Sequence, residues 1–414
     1  MQTQKISLLS ISDCTETNGI VTFIKVFLEN EAHWRAQGFD LRAVCYRDAP
    51  GTTRPAVASG PAVPSSGVVP PRADWLRRCL GWTKTRLKHW LSGGAHRSFL
   101  NFLVSLAWRG LIVSLRARCA TPTDIYFHQD FFTAFFSEKL RARGSRSILV
   151  LHGGRDPLRQ LFIYFRPLLG TGYERLIRWA FEYALRRQDM VVTLSHALAG
   201  ELKERHGLKH VTCIYNTSQI LRRCDDHYPW EKQSVNCLAI GSLQYVKGFD
   251  LLIAAIASLE KHHRTRLKVV IIGEGAERGR LQQSIDQHGL NSQIEMPGNS
   301  TNVAYFLTGA DLYLLPSRDE GMPIALIEAM QMSLPVLATR VGAIPEVVES
   351  AAGLLMSADV ATIATALVEV IDGQHDLRRM GLASRKIYDE KLSMRVFIEQ
   401  YGKLFSLHSS RESQ

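Results

Sequence analysis

The chain lacks the features that mark a disulfide-stabilised secreted protein or a zinc protein. Its 414 residues include only seven cysteines, an odd number, and no two of them form a Cys-x-x-Cys pair. Scattered cysteines of this kind argue against a disulfide framework and against a structural zinc site. The sequence therefore predicts reduced thiols, as in a cytoplasmic protein, and no metal or other cofactor.

Long hydrophobic runs are also missing. After Lys5 the mostly apolar run is only six residues long, which is too short for a signal peptide and predicts the first strand instead. The stretch 99–115 is apolar, but its 17 residues include Asn101 and Arg109, so it does not qualify as a membrane-spanning helix. We interpret it as a core helix of the first domain.

Acidic residues are scarce in one part of the chain. Residues 66–119 contain ten Lys or Arg and a single acid, Asp74, and so carry +9 of the net charge of +11. Four tryptophans and leucines at helical spacing accompany these cations, which is typical of a basic amphipathic helix on an anionic membrane surface. We predict peripheral attachment to the inner face of the cell membrane through residues 72–118; a solvated face is the alternative. Without a nucleic-acid-binding motif, the basic stretch does not predict nucleic acid as a partner.

Composition and pattern indicate a folded α/β protein. Hydrophobic residues make up 46% of the chain and charged residues 21%, as in globular proteins, and the length suits two domains of about 200 residues each. Strands alternate with helices nearly throughout, which predicts two doubly wound, Rossmann-like sheets. The predicted parts are a first domain over 1–216, a linker over 217–235, a second domain over 236–390 and a C-terminal helical segment over 391–414.

Two glutamates eight residues apart, Glu320 and Glu328, stand on either side of a predicted helix start. Pro323 is tolerated in a first helical turn, so Glu320 lies in the preceding loop and Glu328 lies inside the helix. The unpaired N–H groups at such a helix start form a site for phosphate. They belong to Gly321, Met322, Ile324 and Ala325. The alternative is an ordinary loop with two solvated carboxylates.

Two earlier strand-to-helix turns have compatible chemistry. Gly241 and Ser242 follow one predicted strand, and Lys247 lies where the next helix opens, so its cation can reach a pyrophosphate. Gly273 and Gly275 end the following strand, although a lone Gly-x-Gly indicates only a tight turn. Because parallel sheets bind ligands at the carboxyl ends of their strands, the three loops together predict a site for a phosphorylated ligand.

The order of these motifs resembles the C-terminal half of the retaining GT-B glycosyltransferases, the large family with paired glutamates that includes sucrose and glycogen synthases and many bacterial polysaccharide enzymes. The likeness is strong over about 236–390 and looser at Asn18-Gly19, His152 and Asn216. It implies two domains facing a cleft, with the last helix crossing back to the first domain. It also implies transfer of a sugar from a nucleotide-diphosphate donor to a saccharide acceptor, with retention of anomeric configuration.

The resemblance assigns roles position by position. It implies that Lys247 neutralises the donor diphosphate, that Glu328 holds the ribose and that Glu320 contacts the transferred sugar. His152 would lie across the cleft near that sugar, and Asn18 and Gly19 would shape the acceptor side. The implied donor-binding set is Gly241, Ser242, Lys247, Gly273, Gly275, Gly321, Met322, Ile324 and Glu328.

One position departs from the family pattern. Ser242 stands where many members have arginine, and a serine hydroxyl can give a hydrogen bond but no charge. Either another cation replaces the arginine, for which Arg155 is the candidate, or the donor is bound more weakly.

Two other functions stay open at this point. A sugar-nucleotide epimerase on the same fold would need additional acid and base residues in the cleft and would act without an acceptor. A non-catalytic partner would keep the fold and lose the chemistry, for which Ser242 is the one hint. For the leading function, the basic stretch suggests a polyprenyl-linked acceptor in surface polysaccharide synthesis.

Overall fold

The structure is a computed structural model that describes residues 3–13, 19–47, 95–119, 123–154, 157–158 and 170–407. Two of the predicted features, the cationic residues 72–94 and the side chains of Asn18 and Arg155, lie outside the described residues.

The first domain is built on a parallel sheet of six strands. They are β1 (Gln4–Asp13), β2 (Phe39–Arg47), β3 (Ile125–His128), β4 (Arg146–Leu151), β5 (Met190–Thr193) and β6 (Val211–Cys213), in the spatial order β2-β1-β3-β4-β5-β6. Their central side chains, such as Leu8, Phe127 and Leu149, are fully buried. Burial on both faces is what crossover helices impose on a parallel sheet.

Six helices of the first domain lie within the described ranges: α1 (Gly19–Glu29), α2 (Glu31–Ala36), α3 (Ala95–Cys119), α4 (Phe131–Ser137), α5 (Gly172–Arg186) and α6 (His196–His206). Val113 and Ala117 of α3 are buried against the sheet, so α3 is a core helix, as the sequence suggested. None of the helices in the described ranges combines the length and the apolar character that crossing a bilayer requires.

The second domain repeats the architecture. Its strands are β7 (Val235–Ile240), β8 (Leu267–Ile272), β9 (Ile294–Gly298), β10 (Leu312–Leu315), β11 (Val336–Thr339) and β12 (Gly353–Met356), in the order β12-β11-β10-β7-β8-β9. Its helices are α7 (Phe249–Ser258), α8 (Lys261–Arg264), α9 (Arg278–Gln287), α10 (Val303–Leu307), α11 (Ile324–Gln331), α12 (Ile344–Val347), α13 (Val360–Ile371) and α14 (Leu377–Ile387). The predicted pair of doubly wound domains is confirmed.

A last helix, α15 (Met394–Ser406), packs on the first domain. The Tyr401 ring lies 5.0 Å from that of Phe27 and 5.5 Å from that of Phe127, and the Arg146 guanidinium donates to the carbonyl oxygens of Leu404 and Phe405. Between β6 and β7, residues 214–234 form neither helix nor strand. The chain therefore crosses between the domains twice, once through this segment and once before α15.

The expectation of reduced cysteines needs one correction. Cys45 at the end of β2 is disulfide-bonded, whereas Cys119, Cys213, Cys224 and Cys237 are free thiols. The spacing of cysteines along a chain does not reveal which of them a fold brings together, so this bond could not be read from the sequence.

Candidate functional site

The predicted lysine and glutamate loops meet where the strand order of the second sheet reverses. Strands β7 and β10 are neighbours, and the loops that follow them carry Lys247 and Glu320. The ammonium nitrogen of Lys247 lies 2.7 Å from Oε1 of Glu320, and the hydroxyl of Ser317 donates to the same oxygen at 2.7 Å. Glu320 is only 6% exposed. Such a reversal point is where open α/β sheets bind their ligands.

A second set of contacts fixes these two loops to each other. The guanidinium of Arg318 binds both carboxylate oxygens of Asp250, at 2.6 and 2.7 Å, and lies over the ring of Tyr245. Gly248 has a φ of +68°, and a Cβ there would come within 2.0 Å of the carbonyl oxygen of Pro316. Glycine is therefore required at this turn for both its backbone angle and its close approach. The position of Lys247 relative to Glu320 is fixed by these contacts.

Helix α11 presents unused backbone donors beside Glu320. The helix begins at Ile324, with Pro323 as its N-cap. Within the part of the chain that the structure describes, the N–H groups of Gly321, Met322, Ile324 and Ala325 make no hydrogen bond. Unpaired N–H groups at the positive end of a helix dipole attract an anion. A negatively charged ligand that contacts Lys247 can therefore also bind these donors.

Glu328 carries the most unusual carboxylate of the site. It lies on α11 with its side chain partly buried, and no hydrogen-bond or ion-pair partner is found for it among the described residues. Burial raises the pKa of Glu328 to about 7. Beneath it, burial and the charges of Glu320 and Glu328 raise the pKa of Tyr313 on β10. Both glutamates thus affect the same buried tyrosine, and Glu328 has unused hydrogen-bonding capacity.

The loop after β4 brings His152 to the same place from the other domain. A Cβ on Gly321 would lie 2.1 Å from the carbonyl oxygen of His152, so the backbones of the two loops are in contact. The imidazole Nε2 lies 2.9 Å from Oε1 of Gln129, and the ring packs edge-on against Phe23 of α1 at 4.9 Å. Burial lowers the pKa of His152 to about 4. The imidazole is therefore neutral near pH 7.

The glycines of the other predicted loops shape the floor of the site. Gly273 has a φ of +150°, and a Cβ there would lie 1.9 Å from the carbonyl oxygen of Gly241. A Cβ on Gly275 would lie 2.3 Å from the carbonyl oxygen of Leu243. The loops after β7 and β8 therefore pack backbone against backbone. Ser242 is exposed between them, and Gly19 begins α1 in the first domain.

Several contacts across the domain boundary had no counterpart in the sequence reasoning. Asn216 donates from Nδ2 to the carbonyl oxygen of Met322 at 3.1 Å. The Glu346 carboxylate accepts hydrogen bonds from the N–H groups of His196 and Ala197 and from the hydroxyl of Tyr215. These contacts hold the first turn of α6 against α12 and so fix one domain relative to the other.

The same contacts explain the one group of metal-compatible ligands found in the described ranges. His196, Cys213 and Glu346 each offer a ligand atom, and these atoms lie within 4.8 Å of one another. Both oxygens of Glu346 already accept hydrogen bonds that join the domains. An ion is not required to account for the arrangement, and the absence of a cofactor stays a prediction.

Some of the residues that sequence reasoning missed had a local signal. Ser317 and Arg318 lie just beyond Pro316 at the carboxyl end of β10, and Glu346 follows the glycine turn after β11. Polar residues at these positions are candidates in any parallel sheet. Gln129 likewise follows the carboxyl end of β3, but neither for Gln129 nor for Tyr215 did the sequence indicate the distant partner.

The predicted site residues can now be placed. Lys247, Glu320, Gly321 and Met322 surround one point, and the His152 loop touches that point from the first domain. Glu328 lies on the helix that starts there. Arg155, the proposed substitute for the charge missing at Ser242, lies outside the described residues, so this suggestion stays a prediction.

Comparison with known proteins agrees with this geometry. Residues 226–387 match the sequence model of the family described as glycosyl transferases group 1. A Salmonella typhimurium protein named as a colanic acid biosynthesis glycosyltransferase, WcaL, is 29% identical over 287 residues, which cover 65% of this chain and 67% of that protein.

Solved structures extend the likeness to both domains. Sucrose-phosphate synthase from Thermosynechococcus elongatus superposes with a TM-score of 0.70 at 16% identity, over 97% of this chain and 98% of that one. HepE from Anabaena, solved with UDP, superposes with a TM-score of 0.64 at 13% identity, over 97% and 99% of the two chains. These likenesses show the fold. Residues 226–387 are therefore similar to glycosyl transferases group 1, and the chain as a whole has the two-domain fold of these GT-B glycosyltransferase structures.

Proposed function

We propose that this protein is a group 1 glycosyltransferase that moves a sugar from a nucleotide-diphosphate donor to a saccharide acceptor, with retention of anomeric configuration, in the synthesis of a surface polysaccharide. One observation carries the proposal. The Lys247 ammonium, the buried Glu320 carboxylate and the unpaired N–H groups at the start of α11 converge at the reversal point of the second sheet. Cationic and N–H donors suit a diphosphate, and the carboxylate suits sugar hydroxyls.

The geometry supports a different role for each of these groups along the donor. Lys247 and the α11 N-terminus stabilise the charge that develops on the leaving diphosphate, which is electrostatic catalysis by groups already in position. Glu328, with its unused carboxylate, accepts hydrogen bonds from the ribose hydroxyls. Glu320 orients the transferred sugar. The acceptor proton then passes to the leaving diphosphate oxygen, so the protein mainly positions reactants and stabilises charge.

The neutral imidazole of His152 fits a positioning role on the acceptor-facing side. Its Nε2 lies against Gln129, and its ring is held by Phe23, so its orientation is fixed. A neutral imidazole can donate or accept one hydrogen bond to a sugar hydroxyl without adding charge beside the reacting carbon. The name of the Salmonella typhimurium relative is the support for a polysaccharide product.

The proposal is tested first by ligand binding. In a thermal-shift panel of UDP, GDP and ADP, we expect one nucleotide to raise the melting temperature, since a ligand at a hundred times its dissociation constant adds ~2.7 kcal/mol of stability. UDP is the first candidate because HepE was solved with it. No response to any nucleotide would contradict the proposed donor site.

Incubation of the matching nucleotide sugar with and without an acceptor separates the remaining alternatives. A transferase releases nucleoside diphosphate and forms a glycoside only when the acceptor is present, and the coupling constant of its anomeric proton reports retention. An epimerase would convert the nucleotide sugar without an acceptor. A non-catalytic partner would bind the nucleotide and turn over nothing in either tube.

Replacing Glu320 by glutamine is expected to lower kcat at least about tenfold while the dissociation constant of the nucleotide changes less than about threefold. The amide keeps the shape and can still meet Ser317, but it loses the negative charge that interacts with the reacting sugar as positive charge develops there. Steady-state kinetics and nucleotide titration measure the two quantities. The exposed Glu260, 79% accessible on the same domain, provides the control variant Glu260→Gln. Equal loss of binding and turnover would remove Glu320 from the sugar site.

A further inference from the structure

Helix α5 of the first domain carries a group of exposed large hydrophobic side chains. Tyr173, Leu176 and Trp179 are 46%, 58% and 56% exposed, and their spacing of three residues places them along one side of the helix. Elsewhere in the described ranges, side chains of this kind occur singly, at Ile220, Tyr245, Leu382 and Leu407. Single exposed hydrophobic residues are normal, whereas a group marks an interaction surface.

The opposite side of α5 already forms the core of the domain. Ile177, Phe181, Ala184 and Leu185 are its buried residues. Trp179, one of the exposed side chains, is held by neighbouring rings: the centroids of Phe135 and Tyr183 lie 6.1 and 5.7 Å from that of Trp179. The outward residues are therefore held in place without being covered by the fold. We call Tyr173, Arg175, Leu176 and Trp179 the α5 face.

Cations are interleaved with these hydrophobic side chains. The segment 172–187 contains four arginines and two glutamates. Arg175, one helical turn before Trp179, is exposed. Arg178 pairs with Glu174 and Arg186 with Glu182, so the two glutamates offset two of the four arginines. An excess of positive charge beside aromatic rings complements an anionic bilayer, where tryptophan and tyrosine settle at the headgroup level.

The α5 face also lies on the appropriate side of the molecule. Helix α5 follows β4, so it starts at the sheet edge from which the His152 loop reaches the cleft. Helix α4 contacts both α3 and α5, which makes the three helices one layer. Helix α3 ends the basic stretch 66–119.

We propose that the α5 face lies on an anionic lipid bilayer, with its aromatic rings among the headgroups and Arg175 against lipid phosphates. The inference rests on the proposed function in one respect: an acceptor held in the bilayer would then enter the cleft from the first-domain side. It differs from the sequence prediction, which placed attachment in residues 72–118.

Sedimentation of the full chain with vesicles tests the inference. Vesicles of phosphatidylcholine with roughly 30% phosphatidylglycerol supply the anionic surface. We expect the double variant Leu176→Ser, Trp179→Ala to lower the partition coefficient at least about tenfold, and Arg175→Glu to lower it about fivefold at low salt. Matched controls outside α5 are Leu382→Ser on α14, at a side chain 64% exposed, and Arg395→Glu on α15, at one 75% exposed; both should partition like wild type.

Other outcomes overturn the inference. Equal partitioning of wild type and the α5 variants would place attachment elsewhere, as in residues 72–118. If wild type does not bind anionic vesicles, a bilayer is not the partner of the α5 face. If the α5 variants instead convert a dimer to a monomer in light scattering and leave vesicle binding unchanged, the face belongs to a second copy of the chain. The thermal shift with nucleotide is recorded on every variant. If no nucleotide shifts the melting temperature while vesicle binding is intact, the proposed function is contradicted and this inference is not.

Discussion

Replacing Lys247 by alanine is expected to lower kcat/KM by about ten- to a hundredfold. A hydrogen bond to a charged group contributes ~1.5–3 kcal/mol, and under the proposed function the variant removes the cation that binds the donor diphosphate. The substitution also leaves the Glu320 carboxylate, 6% exposed, without its ion-pair partner at 2.7 Å. We therefore expect a loss of stability of ~1–3 kcal/mol as well. Steady-state kinetics and thermal unfolding measure the two effects.

A double variant separates the two effects. In Lys247→Ala, Glu320→Gln no uncompensated charge is buried, so stability should recover while activity stays low. The control is Lys268→Ala, because Lys268 is similarly buried, with a side chain 13% exposed, and is paired with Glu231 and Glu295 in the same domain. A Lys247→Ala variant within about threefold of wild-type activity would show that Lys247 does not contact the donor.

Replacing Glu328 by glutamine is expected to stabilise the free protein and to weaken nucleotide binding about tenfold. In the folded chain burial raises the pKa of Glu328 to about 7, above the ordinary 4.5, so ionising Glu328 costs more free energy in the folded than in the unfolded state. The wild type consequently loses stability as pH rises from 4.5 to 7, by up to ~3 kcal/mol. The neutral amide avoids that loss. Unfolding at pH 8 should show a higher melting temperature for the variant, and near pH 4 the two proteins should agree.

Nucleotide binding by the wild type should in turn depend on pH. A ribose-binding carboxylate must be ionised, and near pH 6 about nine tenths of Glu328 carries a proton if its pKa is about 7. We expect the dissociation constant to rise several-fold between pH 8 and pH 6 in wild type and to stay flat in Glu328→Gln. Glu349→Gln, at an exposed side chain paired with Lys391, is the control. A flat profile in both proteins would separate Glu328 from the ribose.

Local sequence patterns were sufficient to predict the strands and helices, and the part of the candidate site that the second domain contributes. The apolar strands of the second domain, their glycine turns and Pro323 at the start of α11 are short-range features. Lys247 and Glu320 could therefore be placed in loops that follow strands, and Glu328 in the helix after the second of these loops. The carboxyl ends of parallel strands share one edge of a sheet, which makes sequence order a guide to position.

The partners of several polar residues could not be predicted in this way. Gln129 contacts His152 within the first domain, whereas Tyr215 contacts Glu346 and Asn216 contacts Met322 across the domain boundary; the family resemblance named Asn216 but not its partner. Their partners are 23, 131 and 106 residues away along the chain. Periodicity reports what a segment buries, and it carries no information about which distant segment approaches it.

The sequence by itself therefore determined the two parallel sheets, the loops that carry Lys247 and Glu320 and the charge excess of residues 66–119. Only the tertiary structure decided that the His152 loop touches the Glu320 loop, that Glu328 sits where burial raises its pKa, and that α5 leaves a hydrophobic face uncovered. The physical reason is the same in each case. Burial, pKa and exposure depend on the packing of several segments at once, whereas strand, turn and helix patterns depend on a few neighbouring residues.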